Sequence, residues 1–342
     1  MSLPSLRSSA DDAAAPDDAR TKRWIVGSVV AGAYLTGAAL RWWNRRQLVA
    51  PESLPKAIDA EARTFELAHG RANFYVRPGT GTPVVLVHSF NAAASSYEMK
   101  PIFDHLAATT DRPLYAMDWL GFGRSARPDI DYRPVLFLRQ LRRFLSEQVQ
   151  EPADLIGLSL GAEYAARVTH TTPVLVRRLG LIHPTGLTTD RGPSTAGRFF
   201  VRLAGRVGGF ELLYYKLTRR ASLRSFYDRQ VFLESEAISD ALLDYAHTTT
   251  HARGAHHAPL RFVDGTLFPE PPAQSIYARL YRPTLLLTPT NAAETIQGFE
   301  QVTDVLAQNA RDLTHIRLPG GLLPQFEAPD ALFDALDDFF TP

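Results

Sequence analysis

Short apolar runs recur along the chain and alternate with stretches of helical periodicity. Six of them read as buried strands: Val84–Val87, Tyr115–Met117, Asp154–Leu158, Leu179–His183, Pro283–Leu287 and His315–Leu318. Runs this short and this continuously apolar suit strands covered on both faces. Two half-polar strands precede them at Thr64–Ala68 and Ala72–Val76. Helical patterns at about residues 95–108, 134–149, 295–309 and 331–340 fall between or after the strands. Alternation of this kind predicts an α/β fold with a mostly parallel sheet, helices on both faces and right-handed crossovers.

The pattern breaks twice. Residues 187–280 hold no strand-like run and read as an inserted helical cap between strands six and seven. Arg198, Arg202 and Arg206 share one helix face there. From Arg191 to Arg224 the chain carries eight basic residues and one acidic one, a face suited to anionic headgroups or to solvent. The second break is at the N-terminus, where Trp24–Leu40 runs 17 residues without a charge. Lys22 and Arg23 precede it; Arg41, Trp42, Trp43, Arg45 and Arg46 follow. Extended through Trp43 the helix is about 30 Å long, enough to cross a bilayer, and Trp at both ends suits the interface. The expected organisation is a disordered tail at 1–23, a transmembrane anchor at 24–43, a linker at 44–61 and a folded body at 62–342. The expected location is the membrane, with the side left open by balanced flanking charges.

Composition adds exclusions. The 342 residues are 45% hydrophobic and 21% charged, enough for a sizeable core. A net charge of +1 argues against nucleic acid as partner. With no cysteine, disulfides, zinc-thiolate sites and a thiol nucleophile are all excluded. His251, His256 and His257 cluster without the carboxylate or Cys pattern of a metal site. No cofactor or metal is expected.

The chemistry concentrates in Gly157-Leu158-Ser159-Leu160-Gly161, an apolar strand turning sharply into an Ala-rich helix. Small residues at Gly157 and Gly161 let such a turn close and lift the serine hydroxyl. Val84-Val85-Leu86-Val87-His88-Ser89-Phe90-Asn91 is a strand running into a loop, and Asp118–Ser125 is a Gly-rich turn after another strand. Together these segments resemble the α/β-hydrolase superfamily over roughly residues 60–340. The resemblance implies that Ser159 is a nucleophile and that the Phe90 and Leu160 backbone N–H groups form an oxyanion hole. The family's usual His-Gly in the oxyanion loop reads His88-Ser89 here.

The rest of the implied triad is missing. The carboxylate expected after strand seven falls near Ala292, beside Asn291 and Glu294. The loop after strand eight, Pro319-Gly320-Gly321-Leu322-Leu323-Pro324-Gln325-Phe326-Glu327-Ala328-Pro329, keeps the family's scaffold but carries Leu322 in the histidine position. A serine hydroxyl needs an adjacent base to attack at neutral pH. His183 at the end of strand six, and His256 and His257 in the insertion, are the candidate bases; His88 also ends a strand near the site. Two functions fit. One is a membrane-anchored serine hydrolase acting on an apolar ester or lipid-like substrate with a non-standard triad. The other is a catalytically silent relative that binds a hydrophobic ligand or a membrane partner.

Overall fold

The computed structural model describes residues 48–187, 209–270, 273–290 and 312–341, with Ala38 and Trp42 ahead of them. The chain divides into a unit at residues 1–47 and a second at 48–342. In the first, only Ala38 and Trp42 are described; both are helical and exposed. The tail at 1–23 and nearly all of the expected anchor at 24–43 lie outside the described residues. Among the described residues, no helix is long and apolar enough to cross a membrane.

The second unit runs β1 (Glu61–Leu67), β2 (Gly70–Arg77), β3 (Val84–Val87), α1 (Lys100–Thr109), β4 (Leu114–Met117), α2 (Pro134–Arg143), β5 (Ala153–Leu158), α3 (Leu160–Thr171) and β6 (Val176–Ile182). It continues with α4 (Gly209–Leu217), α5 (Arg220–Phe226), α6 (Asp240–Thr250), α7 (His257–Val263), α8 (Ala273–Tyr277), β7 (Thr284–Pro289), β8 (Leu313–Leu318), α9 (Pro324–Glu327) and α10 (Pro329–Phe340). The strands form one sheet in the order β1-β2-β4-β3-β5-β6-β7-β8. β2 is antiparallel to β1 and β4, and every other pairing is parallel.

Strand alternation divides the core in two. Val85, Val87, Leu155, Leu179 and Leu181 face α2 and α3, meeting Leu141, Phe144, Ala162 and Tyr164. Val84, Leu86, Ile156, Leu158 and Ile182 face the other way onto Ile102, Phe103, Leu332, Leu336 and Phe340. β3 and β5 are buried along their whole length, as continuous apolar runs require, while the edge strand β8 is half-exposed. The expected strands and the helices at 95–108, 134–149 and 331–340 are all present within a few residues. The stretch 134–149 is α2 followed by a wider π-helical turn at Phe144–Val149, closed by Gln150 at φ 67°. The expected helix at 295–309 and the arginine face at 198–206 lie outside the described residues.

One expectation differs. Within the presumed linker, Leu48, Leu54, Ala57 and Ile58 are buried, and the Ala57 N–H donates to the Tyr75 hydroxyl at 2.9 Å. Its spaced apolar residues were too few to show a periodicity, but they pack on the body.

The helices α4 to α8 follow β6 and precede β7. They are tied to the loops at the C-terminal ends of the strands. Tyr214 Oη donates to the Ala92 carbonyl at 2.8 Å, Arg127 Nη2 to Thr249 Oγ1 at 2.9 Å, and the Leu322 N–H to the Val231 carbonyl at 2.7 Å. In open α/β sheets that end of the strands is where sites form.

Candidate active site

Ser159 sits between β5 and α3 with φ 54° and ψ −123°, a conformation that L-residues adopt only under constraint. Its N–H donates to the Ile182 carbonyl at 2.9 Å, and its carbonyl accepts from the Ala162 and Thr185 N–H groups at 3.1 and 3.4 Å. The turn also needs its two glycines. A Cβ at Gly157 would stand 2.6 Å from Ala162 Cα, and one at Gly161 would stand 2.2 Å from the His88 carbonyl oxygen. The second contact presses the first turn of α3 onto the loop after β3.

That closeness sets the start of α3, which carries Leu160, against the loop that carries Phe90. Leu160 opens α3, so its N–H has no partner within the helix. Among the described residues, neither its N–H nor that of Phe90 donates to another protein group. The Phe90 ring is buried against Trp119, Phe122, Phe137 and Tyr164, with centroids 4.9–5.3 Å away, which anchors the loop at this residue.

The oxyanion loop holds a residue that sequence reasoning missed. Glu98 is buried beneath it and accepts from the Ser89 N–H at 2.9 Å, the Ser89 hydroxyl at 2.9 Å and Asn91 Nδ2 at 2.8 Å. Its own carbonyl accepts from Gln325 Nε2 at 2.8 Å, linking the loop to α9. Burial pushes the Glu98 carboxyl up, against the three donors that favour its charge. Ser89 in place of glycine was the available signal, because a buried hydroxyl requires a partner.

The four histidines separate clearly. His88 Nδ1 lies 2.7 Å from the Ser89 carbonyl and donates to it, so Nε2 accepts from the Trp119 N–H at 3.2 Å. Burial lowers its pKa to about 4, and with both nitrogens engaged it is a neutral structural ring. His183 is fully buried at the end of β6 with φ 44°. Its ring lies against the Gly321 and Leu322 backbone, and burial lowers its pKa to about 3. It therefore stands between the strand beside Ser159 and the loop where the family's histidine would be. His256 and His257 go elsewhere, at the start of α7. His256 packs near Tyr214 and Tyr215, and His257 Nδ1 lies 3.2 Å from the Arg127 carbonyl.

The loop after β8 has its scaffold intact. Glu327 accepts from the Leu233 and Glu234 N–H groups at 2.6 and 2.7 Å and from the Gly321 N–H. Leu322 is half-buried and packs into both cores. The positions around Ala292, where the family resemblance places an acid, lie outside the described residues. Asp118, the buried carboxylate after β4, is committed to the Ser96 and Arg124 N–H groups and Asn73 Nδ2. On the helix after Ser159, Glu163 pairs with Arg167 at 2.8 Å and accepts from Thr185 Oγ1 at 2.7 Å, fixing the segment after His183. Among the described residues, no group of three His, Asp or Glu side chains is placed to hold a metal.

A cavity of about 630 Å³ adjoins the oxyanion loop. Asn91, Ala92 and Ala93 form one wall, and Leu217, Leu223, Phe226 and Phe262 form much of the rest.

The alpha/beta hydrolase family model matches residues 84–335. An uncharacterized protein of Mycobacterium tuberculosis (strain H37Rv) is 27% identical over 278 residues, 77% of this chain and 74% of that protein. The 1-acylglycerol-3-phosphate O-acyltransferase ABHD5 of Rattus norvegicus is 36% identical over 109 residues, 31% of this chain and 30% of that protein. Among solved structures, a probable hydrolytic enzyme of Pseudomonas aeruginosa PAO1 superposes with a TM-score of 0.66 at 18% identity, covering 86% of this chain and 99% of that one. At that identity the likeness speaks for the fold alone. The family match, the sheet order and the strand-to-helix turn at Ser159 agree, and the chain belongs to the alpha/beta hydrolase family.

Proposed function

We propose that the protein is a serine hydrolase of apolar, lipid-like esters, with Ser159 as nucleophile and the Phe90 and Leu160 N–H groups as oxyanion donors. The observation that carries this reading is the pair of uncommitted amides beside a strained, exactingly packed serine. Donors aimed where charge develops are worth about 3–4 kcal/mol each in enzymes that use them. His183 takes the role of proton acceptor, because it alone of the three candidates directly follows β6, the strand paired with β5, which leads into Ser159. A ring with a pKa near 3 is neutral at physiological pH and holds a proton poorly, so acylation through it is slow. The helices between β6 and β7 act as a cap over the site, and the apolar cavity beside the oxyanion loop takes the acyl part of the ester. The apolar segment 24–43 anchors the protein in a membrane, a setting consistent with the lipid named for its ABHD5 relative.

Turnover of p-nitrophenyl esters of increasing chain length tests this directly. The proposal expects slow hydrolysis that improves from acetyl to longer acyl groups and disappears in Ser159→Ala. Hydrolysis unchanged by that substitution refutes it. The anchor is tested separately: the full chain should stay in the membrane pellet through high salt and carbonate.

Leu322 favours a second reading. With an apolar side chain where the family's histidine stands, the same cavity serves a protein that binds a hydrophobic ligand without cleaving it. Saturable binding of a long-chain ester that is recovered intact distinguishes this reading from the first.

A further inference from the structure

Two helices beside the cavity leave apolar side chains in solvent. On α4, Leu213 and Leu217 are 38% and 57% exposed, and their spacing of four puts them on one face. On α7, Val263 is 37% exposed. Leu217 and Val263 also line the cavity, so the exposed patch and the cavity wall are one continuous apolar surface. That surface ends at Asn91–Ala93, next in sequence to the Phe90 amide. Isolated exposed leucines need no explanation, but a patch leading into a cavity does.

The charges around it choose the partner. Lys216, Arg219, Arg224 and Arg229 are exposed on or just after α4 and α5, and Arg229 also borders the cavity. Lys216, Arg219 and Arg229 make no ion pair among the described residues, whereas Arg220 is held by Asp240 and Asp244 and Arg224 also acts on Asp240. Of the acidic groups nearby, Glu211 is buried and Asp228 accepts from the Ser235 hydroxyl. An apolar mouth bordered by Arg229, with unpaired Lys216 and Arg219 on and just after the neighbouring helix, complements a surface that is apolar within and anionic at its edge.

We propose that the rim formed by α4, α5 and the end of α7 docks on an anionic lipid surface, with Leu213, Leu217 and Val263 inserted among acyl chains. Lys216, Arg219 and Arg229 meet the headgroups. The cavity mouth then opens into the bilayer, and a lipid chain enters it without crossing water. This deepens the proposed function by naming the route of the substrate, yet the docking itself requires no turnover.

The absence of cysteine permits single-site labelling. Leu217→Cys and, as control, Val174→Cys carry bimane on the full chain. Val174 is 66% exposed and precedes β6, at the opposite end of the strands from the cavity. The proteins are added to phosphatidylcholine vesicles with or without phosphatidylglycerol, each containing acyl-chain nitroxide lipids. The expected result is quenching at position 217 at least severalfold stronger than at 174, greatest with phosphatidylglycerol and reduced by Lys216→Glu with Arg219→Glu. Equal quenching at both positions overturns the proposal. So does a label at 217 that is shielded without lipid and insensitive to the nitroxide, which identifies a protein partner or second copy. Because the readout is independent of Ser159, an inert serine refutes the hydrolase reading and leaves this one standing.

Discussion

Replacing Glu98 with glutamine probes the device that holds the oxyanion loop. The carboxylate accepts three hydrogen bonds, two at Oε1 from the Ser89 hydroxyl and Asn91, and one at Oε2 from the Ser89 N–H. A glutamine whose oxygen replaces Oε1 keeps the first two and turns an NH₂ toward the Ser89 N–H. One buried backbone donor is then left facing another donor, a loss of about 1–3 kcal/mol. The pH dependence gives a sharper test. Burial raises the Glu98 pKa above 4.5, so between that value and its folded pKa the native state binds more protons than the unfolded chain. Stability from this group is therefore complete below pH 4.5 and lost as pH rises through the folded pKa. Glutamine does not titrate, so wild type minus Glu98→Gln should be largest in acid and shrink with rising pH, by at most about 1.4 kcal/mol per pH unit. Denaturant unfolding of both proteins from acid to neutral pH measures it, and the histidine contributions cancel in the difference. A difference that is flat, or that grows with pH, would refute the dominance of burial at this carboxyl.

Three further outcomes follow from the same geometry. Gly161→Ala places a methyl 2.2 Å from the His88 carbonyl and should destabilise the fold by about 1–3 kcal/mol or more, read from thermal unfolding. His88 and His183 have pKa values lowered from 6.5 to about 4 and about 3, so the native state is the one that resists protonation. Their contribution to stability is present above pH 6.5 and lost as pH falls toward the folded values, and His88→Gln should flatten that acid limb of a stability–pH curve. Leu322→His puts an imidazole in the family's position, and ester turnover should rise by about a hundredfold, the low end of general-base catalysis; no rise, with Ser159 still reactive, would show that the base is not the missing part.

The strands and the turn at Ser159 were legible because their signals are local. A buried parallel strand must be continuously apolar, and a Gly-x-Ser-x-Gly turn carries its steric requirements within five residues. The partners of buried polar groups are not local. Glu98 reads as one charge near the start of a helical stretch, and nothing in its neighbours announces Ser89 and Asn91 above it. His88, His183, His256 and His257 look alike as loop or strand-end histidines, yet a carbonyl, an amide and two tyrosines give them separate fates. The packed segment from Leu48 to Ile58 was missed for the same reason, since its few apolar residues gain meaning only against the body they cover.

The claim on which the rest depends is that Ser159 is a nucleophile served by the Phe90 and Leu160 amides. A fluorophosphonate probe reports this without knowledge of the substrate, because its phosphoryl oxygen occupies the oxyanion position in the adduct. Intact mass followed by peptide mapping should find one adduct, on Ser159, absent from Ser159→Ala. A protein that stays unlabelled while a control serine hydrolase reacts in the same tube would contradict the covalent mechanism and leave the ligand-binding reading.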